Sequence, residues 1–418
     1  MTEPTNYLEK VPTLPFEVIC QKSEVLTMAD VLDLSLTTEN LKEQVYELKL
    51  KVVQLDVAFD RELSYIYLKT AHDMSLKWEF HQTLPEGHGK TTIRKIAHHR
   101  FRSIKTASGI STDHYNIEDG IPAVLKYFVS IFDFSNWEID TLSIDMSVIA
   151  EFRVLCDIFK TFRKINKFVL TRSGTEPFNP LLCHNIRDFL EKHDFEHVYM
   201  GVNTDFDVHF NNSAHHRFQK LLSVDHVNIV SAEWISPDDL LNFNVKTLII
   251  GQENLIKAED LNAFIKKWLE SESTKLMWIK VNTDKKLNSD VVLEGLTLEA
   301  TRRVATIVKC PFHCSADGTI IPLEWPGTSR QLTRPDGSIA TIAIKDDFFF
   351  FHVTDSGPQP VFAETPQLQR RANGPLQQPM NPVDMLMGID LHALRRRMND
   401  LRRGGEHDGN LLRRAMFP

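Results

Sequence analysis

The sequence predicts an α/β protein in four parts: a short three-helix N-terminal unit, an irregular leucine-rich-repeat-like α/β solenoid, a C-terminal β-hairpin cap and a disordered basic tail. Three observations lead to this prediction. Apolar residues recur at helical spacing near the N-terminus, strand-like apolar patterns recur through the middle, and the composition changes after Gly357. The expected boundaries are 10–50, 51–135, 136–355 and 356–418.

Composition limits the possible functions. The 418 residues include 42% hydrophobic and 25% charged residues, which is ordinary globular usage. The net charge of −8 lacks the basic footprint of a nucleic-acid-binding protein, so nucleic acid is not an expected partner. No apolar run approaches the roughly 18 residues of a membrane span, so no membrane partner is expected either.

The N-terminus and the cysteines predict an intracellular location. Residues 1–10 are polar and do not resemble a secretory signal. The five cysteines are odd in number and scattered, as is typical of reduced thiols. We therefore expect a cytoplasmic or nuclear protein.

The N-terminal unit is predicted from helix signals. Thr27 to Asp30 is typical of a helix start, and apolar residues then follow at helical spacing. A further helix is expected from Leu41, Val45 and Leu48. Three short helices in about 40 residues bury too little surface to be stable alone. Residues 51–135 are interpreted as a linker or the start of the next domain.

One apolar pattern recurs six times between residues 136 and 300. In each copy, two apolar residues are separated by two other residues, and a third apolar residue follows two positions after the second. All three are expected to face inward. Copies start at Ile139, Ile165, Phe195, Val224, Val245 and Leu276, so the pattern returns at uneven but similar intervals. A strand and a helix repeated at such intervals are typical of leucine-rich repeats. A doubly wound α/β domain would alternate in the same way and stays open as the alternative.

The C-terminal part shows two further patterns. Arg334 to Gly337 reads as a turn beside alternating strand-like segments, which predicts the closing hairpin. From Gly357 onward Pro and Gln cluster, no Lys follows Lys345, and arginines come in groups. Such a composition is typical of a disordered tail.

The sequence contains only incomplete fragments of known catalytic and metal-binding motifs. Gly87 to Thr91 resembles the end of a phosphate-binding loop, but the required first glycine is replaced by Leu84. Cys310, His313 and Cys314 are three of the four ligands that a structural zinc site needs. We therefore expect no catalytic residues, no metal and no cofactor. A nucleotide-binding protein using Gly87 to Thr91 remains a remote alternative.

Three segments resemble the nematode F-box proteins that carry a type-2 F-box-associated domain. The first is Leu14-Pro15-Phe16 leading to Val31–Leu36. The second is Trp234–Leu241 followed by Leu255–Trp268. The third is Arg334–Ile342 followed by Phe348–Phe351. The resemblance covers roughly residues 10–355, and the tail has no counterpart.

The resemblance implies a non-catalytic substrate-recognition subunit of a cullin–RING (SCF-type) ubiquitin ligase. The F-box would bind the adaptor and, through it, the cullin, while the associated domain would bind an unknown protein substrate. The residues implied for adaptor binding are Leu14, Pro15, Val18, Leu32, Leu34 and Leu36. Directly after Leu34-Ser35-Leu36, where the family tends to have basic residues, this chain has Thr38-Glu39-Asn40. A binding module that no longer contacts the adaptor is therefore the alternative.

The solenoid prediction also places a substrate-binding surface. In such a fold the residues between the inward positions of each strand line a shared concave face. Aromatic and mixed polar side chains on one face are typical of protein recognition. The residues selected on this ground are Tyr199, His226, Asn228, Trp278 and Lys280.

Overall fold

A computed structural model gives the fold of the chain. It describes residues 27–84, 90–107, 109–113, 116–134, 136–149, 159–173, 180–202, 220–252, 254–271, 275–300, 305–309, 320–324, 329–345 and 347–354. Nearly all of these belong to one compact unit that comprises 1–306 and 323–357. The predicted tail, 356–418, lies outside the described residues.

The helices are short and begin at residues that favour helix starts. Thr27 accepts a hydrogen bond from Asp30 N before the first helix, and Asn116 caps the longest one in the same way. The helices are α1 (Met28–Ser35), α2 (Glu39–Glu47), α3 (Ile117–Ile131), α4 (Pro180–Lys192), α5 (Pro237–Asn242), α6 (Ala258–Glu270) and α7 (Ser289–Val292). None of the helices described is long and apolar enough to cross a membrane.

Strands account for most of the regular structure. They are β1 (Val52–Phe59), β2 (Ser64–Thr70), β3 (Ser75–His81), β4 (Thr91–Ile96), β5 (His99–Lys105), β6 (Gly109–Asp113), β7 (Glu138–Asp145), β8 (Lys164–Thr171), β9 (Asp194–Gly201), β10 (His226–Ser231), β11 (Thr247–Gln252), β12 (Trp278–Asn282), β13 (Glu299–Ala300), β14 (Ala305–Lys309), β15 (Ile320–Glu324), β16 (Arg330–Thr333), β17 (Ile339–Lys345) and β18 (Phe348–Thr354). Strands β14 and β15 pair with each other in a separate two-stranded sheet.

The other sixteen strands form one mixed sheet in the order β13-β16-β17-β18-β12-β11-β10-β9-β8-β7-β1-β2-β3-β6-β5-β4. Its centre, from β1 through β7 to β12, is parallel. Antiparallel pairs flank this centre, through β2 on one side and β18 on the other. Residues 51–135 therefore contribute β1 to β6 and α3 to the same unit as the later segments.

The helices pack on one face of the sheet. Phe128 of α3 lies 6.1 Å from Trp78, Phe189 of α4 lies 5.5 Å from Phe168, and Trp268 of α6 lies 5.1 Å from Phe351, measured between ring centroids. The strand residues on this face are fully buried in one continuous apolar core. Aromatic rings at these separations add to the stabilisation that burial alone provides.

The predicted fold class was wrong. The six recurring patterns are strands, β7 to β12, but they belong to one large mixed sheet, so there is no repeat-like solenoid among the described residues. The segments predicted as the closing hairpin, β17 and β18, do pair with each other, but they continue this sheet through β12 and are not a separate cap. The spacing shows only that strands recur along the chain; it does not reveal the partners of the first and last strands. A separate three-helix unit is not seen among the described residues either: residues 27–50 hold two helices whose apolar residues join the core of the sheet, and residues 10–26 lie outside the described part of the chain.

Candidate functional site

The face of the sheet opposite the helices carries polar and aromatic side chains, and we call it the polar face. The parallel strands align these residues in rows, because each residue pairs with its counterpart on the next strand. The first row contains Thr141, Lys167, His197, His226, Thr247 and Trp278. A second row contains Ser143, Val169, Tyr199, Asn228, Ile249 and Lys280. All five residues predicted for substrate binding lie in these two rows.

Two histidines stack at the centre of the first row. The rings of His197 and His226 have centroids 4.4 Å apart and planes 17° apart. His226 Nδ1 lies 2.9 Å from Thr247 Oγ1, at hydrogen-bond distance. Burial, reinforced by the neighbouring His226, lowers the pKa of His197 to about 4, and burial also lowers the pKa of His226. Both rings are therefore neutral at pH 7.

Charged side chains surround the histidine pair near the amino ends of β9 to β11. Glu196 lies 3.6 Å from His197 Nε2 and 3.4 Å from Lys164 Nζ. Asp225 receives hydrogen bonds from Lys246 and Lys275, and these lower its pKa to about 2. Acidic and basic groups thus alternate along this edge, which suits a partner of mixed charge rather than a polyanion.

Aromatic rings continue the polar face beyond the histidines. Trp278 lies 5.9 Å from Phe350 of β18. Lys280 Nζ lies 5.5 Å from the Phe348 ring, within range of a cation–π interaction. Tyr199, His226 and Lys280 are half-buried, whereas Asn228 is 8% exposed and Trp278 only 4%. The five predicted residues thus share one face of the sheet, but the sequence pattern does not distinguish the accessible ones from the buried ones.

The residues implied for adaptor contact are distributed differently. Leu32 is fully buried in the core, while Leu34 and Leu36 are half-buried at the end of α1. Leu14, Pro15 and Val18 lie outside the described residues.

Polar contacts also hold helix α1 to the sheet and to α3. Asp33 pairs with Arg94 of β4, Asp30 pairs with Lys105 of β5, and the Tyr127 hydroxyl donates to Ser35 at 2.9 Å. Arg94 could not be predicted as a partner of Asp33, because nothing in the local sequence marks an arginine so distant in the chain.

The segment around β10 to β12 contains several side chains that hold its loops. Ser236 and Asp239 form a reciprocal cap at the start of α5. Asn254 donates to the carbonyl oxygens of Gly251 and Asn282, and Asn262 donates to those of Val292 and Glu294. The Asn254 bonds tie the loop before α6 to β11 and β12, and the Asn262 bonds tie α6 to the end of α7 and the turn that follows it.

This is the segment that matches a known family. Residues 217–281 match the family model described as F-box associated. The match covers β10, β11 and most of β12 and thus includes His226, Asn228, Trp278 and Lys280. It supports the F-box-associated part of the sequence-based resemblance; an F-box itself was not detected.

Two curated proteins of Caenorhabditis elegans are similar to the chain. One is named E3 ubiquitin-protein ligase hecw-1 and is 30% identical over 289 residues, which are 66% of this chain and 23% of that protein. The other is uncharacterized protein F59B2.8, 23% identical over 357 residues, which are 81% of this chain and 74% of that protein. The chain thus spans about a quarter of the first relative. No solved structure matches the chain.

The remaining sequence motifs fall largely outside the described residues. Gly87 to Gly89 are outside them, while Lys90 and Thr91 are exposed at the start of β4. Cys310, His313 and Cys314 are also outside. The described residues therefore do not test the expectations about nucleotide binding by Gly87 to Thr91 or about zinc binding by Cys310, His313 and Cys314.

Proposed function

We propose that the chain is a non-catalytic substrate-recognition subunit of a cullin–RING ubiquitin ligase, binding its protein substrate through the polar face of the sheet. The observation that carries this proposal is the match of residues 217–281 to the F-box associated family. Four of the five predicted substrate-binding residues lie in that segment and on that face. The similarity to a protein named as a ubiquitin ligase supports the same process.

The polar face has the properties of a protein-binding surface. Parallel strands hold the two rows rigidly, so little conformational entropy is lost when a partner binds. Tyr199, His226 and Lys280 are half-buried, and side chains of these types combine an apolar body with a polar end. Of the three, tyrosine is among the residue types that dominate binding energies in known interfaces.

The adaptor would contact the end of α1. Leu34 and Leu36 remain partly exposed there, and an apolar helix face is a common binding element. In this proposal the protein remains in the cytoplasm or nucleus and performs no chemistry itself.

A second candidate function is a protein-recognition module that does not bind the adaptor. It is favoured by Leu32, which is fully buried in the chain's own core, and by Asp33, which is bound to Arg94. Little of the α1 surface then remains available to an adaptor. In addition, Glu39 carries a negative charge where the F-box resemblance implies a basic residue.

Co-expression with the ligase adaptor and cullin, followed by affinity purification, separates the two candidates. The ligase-subunit proposal predicts a stable complex with the adaptor that is lost in a Leu34→Ala, Leu36→Ala double variant. A Leu41→Ala variant is the control and should keep the complex, because Leu41 is a half-buried leucine on the neighbouring helix α2. Absence of the complex for the unmodified chain would reject the ligase-subunit proposal and leave the second candidate.

Substrate binding by the polar face is tested separately. A photoreactive amino acid at position 199 should crosslink to partners in cell extract, whereas the same group at exposed Tyr46 on α2 should give a different set. Identical crosslinked species from both positions would contradict recognition by the polar face.

A further inference from the structure

Among the described residues, one group of three potential metal ligands converges on the polar face. Glu196, His197 and His226 each offer a ligand atom, and these atoms all lie within 4.8 Å of one another. The two histidines are register partners on β9 and β10. We propose that these three side chains form a binding site for a divalent transition-metal ion, with Zn²⁺ as the best-matched ion. The proposal does not depend on a role in ubiquitination.

The hydrogen bond of His226 supports this assignment. When Nδ1–H donates to Thr247 Oγ1, at 2.9 Å, the lone pair of the ring lies on Nε2. Histidines that bind metals usually make such a second hydrogen bond, because it orients the ring and selects the tautomer. On the other side of the site, His197 Nε2 and Glu196 Oε1 already lie 3.6 Å apart.

Side-chain rotations complete the site. Zn–N and Zn–O bonds of about 2.0–2.2 Å place tetrahedral ligand atoms about 3.3 Å apart, so the three atoms must move slightly closer together. The stacked rings can do so by turning about their Cβ–Cγ bonds. The Glu196 side chain is 44% exposed, and its ion pair with Lys164 is a surface contact of small energy. The strands themselves need not move.

The ligand set matches zinc better than a hard cation. Two imidazoles and one carboxylate are the ligands of many zinc sites, whereas Ca²⁺ and Mg²⁺ prefer oxygen ligands alone. Lys167 and Lys246 add positive charge near the rings, and the carboxylates of Glu196 and Asp225 oppose it. The fourth coordination position is left for water or for a side chain of a bound protein.

The experiment uses the full chain after removal of metals with a chelator. Addition of Co²⁺ should produce the visible absorption bands of a tetrahedral site with one equivalent bound, and Zn²⁺ should displace them. By calorimetry, His197→Gln, His226→Gln and Glu196→Gln should each lower Zn²⁺ affinity at least tenfold. Thr247→Val should lower it by about 10–100-fold through loss of the second hydrogen bond alone.

Two controls make the result specific. His98 and His99 also form a ring pair, with centroids 4.0 Å apart, and their replacement by Gln should leave Zn²⁺ affinity unchanged. Circular dichroism confirms that each variant is folded, and Glu196→Gln keeps the test valid if a histidine variant is not. The proposal is overturned if no Zn²⁺ binds, or if binding survives Glu196→Gln and His226→Gln but is lost in a Cys310→Ser, Cys314→Ser variant.

Discussion

The guanidinium group of Arg94 forms two hydrogen bonds with the carboxylate of Asp33, at 2.7 Å from Nε to Oδ1 and 2.9 Å from Nη2 to Oδ2. A third bond joins Arg94 Nη1 to Ser103 Oγ at 2.6 Å. Arg94 is 6% exposed, so the pair is shielded from water on the arginine side. This contact attaches α1, the helix implied in adaptor binding, to the outermost strands of the sheet.

Asp33→Ala should therefore destabilise the protein strongly. Removal of the carboxylate leaves a buried guanidinium charge without its partner, which costs about 3 kcal/mol in the free energy of unfolding. The matched control is Glu39→Ala on α2, which removes an exposed pair with Lys42 and should cost less than about 1 kcal/mol. Urea unfolding curves measure both changes, and equal effects would show that the Arg94–Asp33 pair does not hold α1.

The histidine pair should make stability depend on pH. The pKa of His197 is about 4 in the folded protein and close to 6.5 when unfolded, so the unfolded chain binds more protons between these values. The free energy of unfolding should therefore be highest above pH 6.5 and fall as the pH decreases toward 4. His197 alone should lower it by about 1 kcal/mol for each pH unit in this range.

Urea unfolding at pH 7, 6 and 5 in the presence of a chelator measures this dependence. His197→Gln should flatten it, whereas His72→Gln, at an exposed turn residue, should not. If His197→Gln leaves the pH dependence of the free energy of unfolding unchanged, that dependence comes from other titratable groups and the prediction is wrong.

Gly251→Ala should disrupt the parallel pairing of β10 with β11. A Cβ atom at this position would lie 1.8 Å from the carbonyl oxygen of Val230, so the strands would have to separate. We expect a loss of about 3 kcal/mol, at the upper end of the usual cost of overpacking. Gly295→Ala is the control: the nearest atom lies 3.7 Å away, and only its positive φ of 72° is strained, at about 1 kcal/mol. Thermal melting that ranks the two variants in reverse would contradict this packing.

Two aromatic residues of the polar face should respond differently to truncation. Trp278→Ala removes a ring that is 4% exposed and contacts Phe350, and we expect a loss of about 3–5 kcal/mol in stability. Tyr199→Ala removes a half-buried ring and should cost about 1 kcal/mol while weakening partner binding. Denaturation and crosslinking of both variants check this. Equal losses of stability would mean that Tyr199 is structural.

Local pattern determined where the central strands lie. The pattern copy that starts at Leu276 has Ile279 as its second apolar position and so predicts that it faces inward; Ile279 is fully buried on the helix-packed face of β12. Alternating sides and apolar burial are short-range properties, so a single sequence is enough to reveal them. The grouping of Tyr199, Asn228 and Lys280 on one face follows from the same periodicity.

Only the tertiary structure decided which strands are neighbours and what covers each face. His197 and His226 are far apart in the chain and meet because β9 and β10 pair in parallel at one register. Leu32 is buried because α1 packs against strands that come much later in the sequence. The energy of such contacts depends on groups brought together from distant parts of the chain. Local sequence carries no record of them, so the single mixed sheet, the histidine cluster and the anchoring of α1 by Arg94 could be found only in the folded protein.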